Sequence, residues 1–161
     1  MIFKTSLDNL AKWVTIGVTL LFAVLITLGF ISIIRDGERG VPIYTNIALI
    51  LVYLIAYAFR PIHYKVSDNT LIIHRPFTDI KIDRNQIKNV ELLDKEKTRW
   101  AVRTFGVGGL FGYYGKFFTS KLGSMTWYAT RRNKTVLVQT INRKIILTPD
   151  EPEKFVANFN L

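Results

Sequence analysis

An uncharged apolar run near the N-terminus sets the architecture of this chain. Residues 13–34, WVTIGVTLLFAVLITLGFISII, contain no acidic or basic side chain. A helix of about 22 residues is long enough to cross the hydrocarbon core of a bilayer, at roughly 1.5 Å per residue. The run is longer than the core of a signal peptide, and it lacks a small-x-small cleavage pattern at its end. It therefore predicts a first transmembrane helix.

A second apolar stretch follows at residues 41–60 and stops at Pro61. Residues 35–40, RDGERG, separate the two stretches. Their charges cancel, and their two glycines break a helix. The chain therefore predicts a membrane hairpin, followed at residues 61–161 by about 100 residues, which is close to the usual size of one domain.

The charge of the chain predicts which way the hairpin faces. The 22 Lys and Arg residues outnumber the 12 Asp and Glu residues, the net charge is +10, and most of the excess follows residue 60. Residues 1–12 add Lys4 and Lys12, and they could form a brief interfacial turn. By the positive-inside rule, both termini face the cytoplasm and the turn at 35–40 lies outside. A basic domain beside a membrane also favours attraction to anionic headgroups.

Small side chains recur at every fourth position of both apolar stretches. This spacing puts them on one face of each helix, where a second helix can approach closely. The two faces are predicted to pack as an antiparallel hairpin, and chance scatter of small residues is the alternative. These residues are Thr15, Thr19, Ala23 and Thr27 in the first helix and Ala48, Val52 and Ala56 in the second.

Beyond residue 62 the pattern changes to short β-rich runs. Runs such as TLIIHR at 70–75 and MTWYATR at 125–131 are separated by polar turn clusters about every eight to ten residues. That spacing predicts an antiparallel sandwich or barrel. The acidic, proline-bearing PDEPE at 149–153 predicts the start of a helix. Phe155, Val156 and Phe159 would line one face of this helix and cover an open end of the barrel.

Residues 103–116, RTFGVGGLFGYYGK, differ from the rest of the domain, with five glycines among four aromatic residues. They lack the Gly-Lys-Ser/Thr of a phosphate-binding loop and the context of a dinucleotide fingerprint, so nucleotide binding is not predicted. A glycine-rich loop packed on its own domain is one interpretation. A flexible apolar loop that touches the bilayer or the hairpin is the other. The candidate interaction residues are Phe105, Gly106, Gly108, Gly109, Phe111, Gly112, Tyr113 and Tyr114.

Four basic residues lie around this glycine–aromatic run. Aromatic rings at headgroup depth, with cations that meet lipid phosphates, suit a membrane interface. The candidate headgroup contacts are Arg99, Arg103, Lys116 and Lys121.

No residue pattern indicates catalysis, a cofactor or a metal. The chain has no cysteine, and its two histidines, His63 and His74, are too few for a metal site. No acidic pair stands out as general acid and base, and no G-x-S-x-G elbow seats a nucleophile. Basic residues around two turns at 131–144 are interpreted as solvated turn tips rather than a nucleic-acid site. We therefore predict a non-enzyme.

From about residue 63 to residue 161 the chain resembles the bacterial pleckstrin-homology-like (PH-like) domain family found behind N-terminal membrane helices. The resemblance implies an all-β domain of about seven antiparallel strands in two orthogonal sheets, with one C-terminal capping helix. In eukaryotic PH domains a basic first hairpin loop binds phosphoinositides, but that turn is Ser67-Asp68-Asn69 here, so no headgroup-binding residue is carried over. The matching residues are YKVSD at 64–68, LII at 71–73, RTFGVGGLFGYYG at 103–115, YAT at 128–130 and TPDEPEKF at 148–155.

Three functions follow from this reading of the chain. The first is a membrane-anchored scaffold on the cytoplasmic face of a bacterial inner membrane, which recruits a protein partner or self-assembles through a sheet edge or the glycine–aromatic run. The second is a sensor of anionic phospholipid headgroups. The third is a small accessory subunit of a membrane complex, or an immunity-type protein, in which the hairpin makes the specific contacts. The expected partners are the bilayer and a protein or second copy, with anionic phospholipid as the alternative and neither nucleic acid nor nucleotide.

Overall fold

The computed structural model describes residues 1–37 and 40–159, so Glu38 and Arg39 of the predicted turn lie outside the described residues. Two long helices come first, α1 at Asn9–Asp36 and α2 at Val41–Ala58, and two short helices follow, α3 at Lys95–Thr98 and α4 at Pro152–Ala157. The strands of the described chain are β1 at Ile2–Lys4, β2 at His63–Val66, β3 at Thr70–His74, β4 at Ile80–Asp83, β5 at Ile87–Leu92, β6 at Val102–Gly109, β7 at Gly112–Thr119, β8 at Gly123–Ala129, β9 at Val136–Thr140 and β10 at Lys144–Leu147.

Neither long helix buries its apolar surface in the rest of the protein. Within α1 only Ala11 is buried, and within α2 only Asn46 and Ala56 are. Side chains such as Leu20 and Leu28 are more than half exposed, which is unfavourable in water by about 25 cal/mol for each Å² of apolar surface. Both helices are long and apolar enough to cross a membrane. The two predicted spans are thus helices that could lie in hydrocarbon.

The strands form two sheets, and the predicted fold class is confirmed. The first sheet has the order β1-β2-β3-β4 and is antiparallel throughout. The second has the order β5-β9-β10-β8-β7-β6, with one parallel pair, β8 and β10. The described residues hold ten strands rather than about seven, because short strands such as β1 and β4 add to the edges of the sheets.

The N-terminal segment is a strand rather than the interfacial turn that we expected. Strand β1 pairs antiparallel with β2, with Phe3 opposite Tyr64. The Phe3 ring is buried, and it meets the Phe155 ring edge-on at 5.1 Å between centroids. Burial of this one aromatic side chain fixes the strand to the domain. In the sequence, both long helices are therefore inserted between β1 and β2, which are neighbouring strands of one sheet.

Two cores occupy the two faces of the six-stranded sheet. Because side chains alternate along a strand, Val138 and Leu147 point into the core between the sheets, whereas Leu137 and Ile146 point to the opposite face. Helix α4 closes the first core through Phe155, with Val156 and Phe159 packed against it, as the sequence predicted. The second core includes Ala11 at the start of α1, so the first helix begins on the surface of the domain.

Candidate functional site

The glycine–aromatic run is a β-hairpin, not a loop. Strands β6 and β7 pair along their length and meet at a tight turn, where Gly109 lies opposite Gly112. Both glycines have φ of +125°, a conformation that L side chains rarely adopt. A Cβ at Gly112 would also lie 2.7 Å from the Ala129 carbonyl oxygen of the neighbouring strand. These glycines let the hairpin tip form and pack tightly.

On one side, the hairpin tip contacts α1. The Thr15 hydroxyl accepts a hydrogen bond of 2.9 Å from the backbone N–H of Phe111. The same hydroxyl donates to the Ala11 carbonyl at 2.7 Å within its own helix. The Val14 side chain covers Gly109, where an added Cβ would lie 3.1 Å from Val14 Cγ1. Thr15 was predicted to pack against the second helix, but its hydroxyl binds the domain instead.

On the other side, the hairpin tip contacts α2 through aromatic rings. The Phe111 ring meets the rings of Tyr53 and Tyr57 edge-on, at 5.2 and 5.5 Å between centroids. The Arg60 guanidinium lies 4.5 Å from the centre of the Tyr57 ring, a cation–π geometry. The tip is thus held between the two helices. The run thus contacts the two long helices at its tip, and it also packs on its own domain through its pairing with β8.

Tyr114 joins the middle of the β-hairpin to the last turn of α2. Its hydroxyl donates a hydrogen bond to the Ala56 carbonyl, and Ala56 is buried beneath it. Burial raises the pKa of the Tyr114 hydroxyl above its usual range, so the group stays protonated and remains a donor. Ala56 was predicted to pack on the first helix, whereas it contacts the domain.

Asp8 fixes the start of α1 to the domain. Its carboxylate caps the helix by accepting from the Ala11 N–H at 2.8 Å, and it accepts from the Tyr113 hydroxyl at 3.2 Å and the Arg132 N–H at 3.0 Å. Burial, together with the adjacent Asp8 carboxylate, raises the pKa of Tyr113 to about 12. The first helix is therefore joined to the domain at its cap as well as at Thr15.

The two long helices pack antiparallel, but with a different face of α2 from the one predicted. The Thr19 hydroxyl lies 2.9 Å from the Tyr53 hydroxyl, and Asn46 Nδ2 donates to the Ile26 carbonyl at 3.3 Å. The predicted α2 face is wrong for Ala48 and Val52, which are exposed. The physical reason is Asn46, because its buried amide needs a hydrogen-bond partner and finds one in the Ile26 carbonyl, so this side of α2 faces α1.

The remaining two residues of the predicted α1 face, Ala23 and Thr27, have different surroundings from Thr15 and Thr19. Ala23 lines a small apolar cavity between the helices, beside Ile50 and Tyr53. Thr27 donates its hydroxyl to the Ala23 carbonyl at 2.8 Å, within its own helix.

The four predicted headgroup contacts do not form one cluster. Arg103 lies on β6 and its side chain reaches Gly108, whereas Lys116 lies on β7 and donates to the Thr126 hydroxyl at 3.1 Å. Arg99 follows α3, with its guanidinium 5.5 Å from the centre of the Trp100 ring. Lys121 lies in the turn after β7, at the end of that strand remote from the hairpin tip. Only Lys116 lies opposite a candidate interaction residue, Phe105, whereas Arg103 lies opposite Phe117 and approaches Gly108 of its own strand.

Strand β6 is an edge of the six-stranded sheet, and its outer surface is exposed, aromatic and basic. Trp100 and Phe105 are each 77% exposed, and Val102 is 65% exposed. No acidic residue occurs in β6 or β7. Sequence reasoning missed Trp100 and Val102, although a tryptophan between two arginines was a signal for an interface. We call the exposed residues at and just before this edge the β6 edge surface; Val102 and Phe105 lie on one face of β6 and Arg103 on the other. It comprises Arg99, Trp100, Val102, Arg103 and Phe105.

A cavity of about 450 Å³ lies between the last turn of α2 and one face of β6, β7 and β8. Two cross-strand rows form its floor, Phe105–Lys116–Thr126 and Val107–Tyr114–Tyr128. Most of its surface is apolar, and none of the described residues that line it is acidic. We call it the α2 cavity. Its lining is completed by Ile55, Ala56, Phe59, Arg75, Gly106 and Gly115.

Two residues, Thr78 and Phe59, hold the Arg75 side chain at this cavity. Its Nε donates to the Thr78 carbonyl at 2.8 Å, and Nη2 donates to the Thr78 hydroxyl at 2.7 Å. Its guanidinium also lies 5.2 Å from the centre of the Phe59 ring at the end of α2. No sequence pattern pointed to this residue, because the cavity joins segments that are far apart in the chain.

The two histidines form a stacked pair at the start of β2 and the end of β3. Their ring centroids are 4.5 Å apart, and His74 Nδ1 lies 2.6 Å from Asp79 Oδ1. Burial and the adjacent His74 lower the pKa of His63. Among the described residues, no group of three or more potential metal ligands occurs.

Comparison with known proteins identifies the domain. A search of curated proteins gives no match, and a search of solved structures gives none either. A scan against family models matches residues 62–160 to the family described as bacterial PH domain. The matched segment begins at the first strand after the helices and runs through α4, so it covers both sheets except for β1. More than half of the chain is matched, and the protein therefore belongs to the bacterial PH domain family.

Proposed function

We propose that this protein is a membrane-anchored, non-enzymatic PH module that senses anionic phospholipid in the leaflet around its helices. In this proposal α1 and α2 anchor the domain in the inner membrane of a bacterium, and the β6 edge surface contacts lipid headgroups. The observation that carries the proposal is the position of this aromatic and basic edge beside the end of α2.

The contacts of β6 support this position. Phe105 and Val107 line the same cavity as Ile55 and Phe59, so the middle of β6 lies alongside the last turn of α2. That turn is where the second apolar stretch meets Arg60, at the expected boundary between hydrocarbon and water. Strand β6, the edge strand at the depth of this boundary, then faces the lipid headgroups.

The chemistry of the edge suits anionic lipid. Trp and Phe side chains favour the interfacial region, and each Lys or Arg near an anionic surface contributes about 1 kcal/mol of attraction. Arg99 and Arg103 flank the exposed Trp100 and Val102. The net charge of +10 for the whole chain acts in the same direction.

The topology and the distribution of charge support a domain on the cytoplasmic side of the membrane. Because β1 and β2 are neighbours in one sheet, the segments before α1 and after α2 lie on the same side of any bilayer that the helices cross. Most basic residues lie in these segments, and cytoplasmic segments carry the excess of Lys and Arg. We infer that both termini are cytoplasmic.

A protein partner is the second candidate, and the unpaired edge of β6 favours it. An exposed edge strand can accept a strand from another chain. A second copy is the weaker form of this candidate, because pairing β6 with itself would bring the Arg103 side chains of two basic domains together. The glycine–aromatic tip is not free for such a partner, since Phe111, Tyr113 and Tyr114 are buried.

Fluorescence of Trp100 in nanodiscs tests the lipid proposal. The full-length protein carries Trp13→Phe, so that the exposed Trp100 and the buried Trp127 are the remaining tryptophans. In nanodiscs of phosphatidylglycerol we expect a blue-shifted emission that is quenched by lipids brominated near the headgroup. In phosphatidylcholine nanodiscs, and in high salt, we expect a smaller shift.

Two variants sharpen this test. Replacing Arg99 and Arg103 by Gln should remove the difference between the two lipids, whereas Arg143→Gln, at an exposed turn between β9 and β10, should leave it unchanged. Equal emission and quenching in both lipids would contradict the proposal. If hydrogen exchange of β6 slows when a protein is added, and does not depend on lipid charge, the second candidate is favoured.

A further inference from the structure

We propose that the α2 cavity holds one anionic phospholipid molecule, with an acyl chain in the cavity and its phosphate bound by Arg75 and Lys116. This inference rests on the membrane placement in the proposed function, but not on Arg99 and Arg103, the cations of the β6 edge surface; Phe105 belongs to both sites. It assigns a discrete ligand site, whereas the edge contacts the leaflet as a surface.

The size and surface of the cavity fit a hydrocarbon chain. Its volume of about 450 Å³ lies within the range of roughly 300–1,000 Å³ that is usual for small-molecule sites. Phe105, Val107 and Tyr128 supply much of the wall on the side of the sheet, and Ile55 and Phe59 supply the wall on the side of the helix. An empty apolar space of this size would forfeit packing contacts, and a chain from the bilayer would restore them.

The position of the cavity selects a lipid over a water-soluble ligand. One wall is the last turn of α2, and the Ile55 and Phe59 side chains are 57% and 48% exposed there. The apolar surface of the cavity is thus continuous with the surface of a helix that could lie in hydrocarbon. A chain can enter from the leaflet without crossing water.

The basic side chains that line the cavity favour a lipid with an anionic headgroup. Arg75 reaches it from the linker between β3 and β4, and Lys116 reaches it from β7 on the other sheet. Both side chains donate to threonines, Thr78 and Thr126, rather than to carboxylates. Two cations on an apolar surface without an acidic residue in the described lining attract a phosphate.

Native mass spectrometry of the full-length protein tests the site. The protein is released from mixed micelles that contain equal amounts of phosphatidylglycerol and phosphatidylethanolamine. We expect one retained lipid per chain, predominantly phosphatidylglycerol. Equal retention of the two lipids would indicate annular lipid only and would overturn the proposal.

Two kinds of variant locate the bound lipid. Replacing both Arg75 and Lys116 by Gln should lower the affinity for phosphatidylglycerol by roughly a hundredfold, because two charge-assisted hydrogen bonds are lost and each is worth about a factor of ten. Val107→Phe should lower retention by filling the cavity without changing its charge. Lys65→Gln, which removes an exposed cation from β2, is the matched control and should retain the lipid.

Thermal unfolding and lipid retention are measured separately, so that a failure to fold is distinguished from a failure to bind lipid. If Val107→Phe does not fold, as judged by thermal unfolding, the Arg75 and Lys116 variant decides alone, and undiminished retention in it overturns the proposal. The variant with Gln at positions 99 and 103 should still retain the lipid. Failure of the β6 edge surface and failure of the α2 cavity therefore give different results.

Discussion

The Thr15 hydroxyl, in the first helix, accepts a hydrogen bond of 2.9 Å from the backbone N–H of Phe111, 96 residues later in the chain. Phe111 in turn packs its ring against Tyr53 and Tyr57 of the second helix. One residue of the domain therefore contacts both helices. The domain is thus docked on the ends of the two long helices rather than joined to them by a linker alone.

Removal of the Thr15 hydroxyl should loosen this docking. In Thr15→Val the Phe111 N–H loses its acceptor, and an unsatisfied, partly buried donor costs about 1–3 kcal/mol. Thermal unfolding in detergent measures the change. Thr27→Val is the matched control, because the Thr27 hydroxyl donates to the carbonyl of Ala23 in its own helix. Equal stability of the two variants would show that the bond to Phe111 contributes nothing.

A side chain at Gly109 should separate the hairpin tip from α1. Gly109→Ala forces an L residue into φ of +125° and brings its Cβ to 3.1 Å from Val14 Cγ1. A residue held in such a conformation costs roughly 1–3 kcal/mol. Faster hydrogen exchange across β6 and β7 is the expected readout. Gly17→Ala, with no neighbouring atom within 4 Å, should be neutral or stabilising by up to about 1 kcal/mol.

Gly29 and Asn46 should be energetically coupled. A Cβ at Gly29 would lie 2.5 Å from Asn46 Oδ1, so Gly29→Ala should push the helices apart. Asn46→Ala removes that obstacle and the hydrogen bond to Ile26, which in a membrane is worth about 0.6 kcal/mol on average. The double variant should therefore lose less stability than the sum of the two single variants, measured by unfolding in mixed micelles. Additive losses would mean that the two side chains are not in contact.

Stability should fall as the pH is lowered through the range of the His63 pKa. Burial is the main cause that lowers the pKa of folded His63 below 6.5; the adjacent His74 and Lys65 act in the same direction, and Asp79 opposes them. The unfolded chain then binds this proton first, so the stability contributed by neutral His63 is present above pH 6.5 and is lost below it. His63→Gln should flatten the curve there, as measured by unfolding in buffered detergent. A curve identical to that of the wild type would contradict the assignment.

Truncation of Phe3 should destabilise the whole domain. Phe3 is buried against Phe155, and replacement of a buried Phe by Ala costs about 3–5 kcal/mol. Ile2, the next residue along β1, is 61% exposed, so Ile2→Ala should cost little. Thermal unfolding of the two variants compares them directly. If both unfold at the same temperature, β1 does not belong to the core.

Local signals predicted the elements, and longer-range contacts decided how they pack. The apolar runs predicted both helices, because length and lack of charge are visible in a single segment. The three residues of β1 are too few to show a period, and their burial depends on strands that begin at residue 63. The face of α2 was mispredicted because one buried polar residue, Asn46, outweighs a stripe of small side chains.

The candidate sites were only partly visible in the sequence. The glycine–aromatic run stood out by composition, and Arg103 and Lys116 flank it. The α2 cavity could not be predicted, because it joins Ile55, Arg75 and the face of β6 to β8, which meet only in the folded chain.

The pairing of β1 with β2 bears on how the protein is made. In chain order the two long helices are an insertion inside a sheet, not a segment placed ahead of a complete domain. β1 is synthesised before its partner, so the sheet can close only after both helices have been made; if these helices cross a bilayer, as proposed, it closes only after both have been inserted. Under that proposal insertion and folding are successive steps of one process, and a chain in which only one helix crossed the bilayer would have β1 and β2 on opposite sides of it.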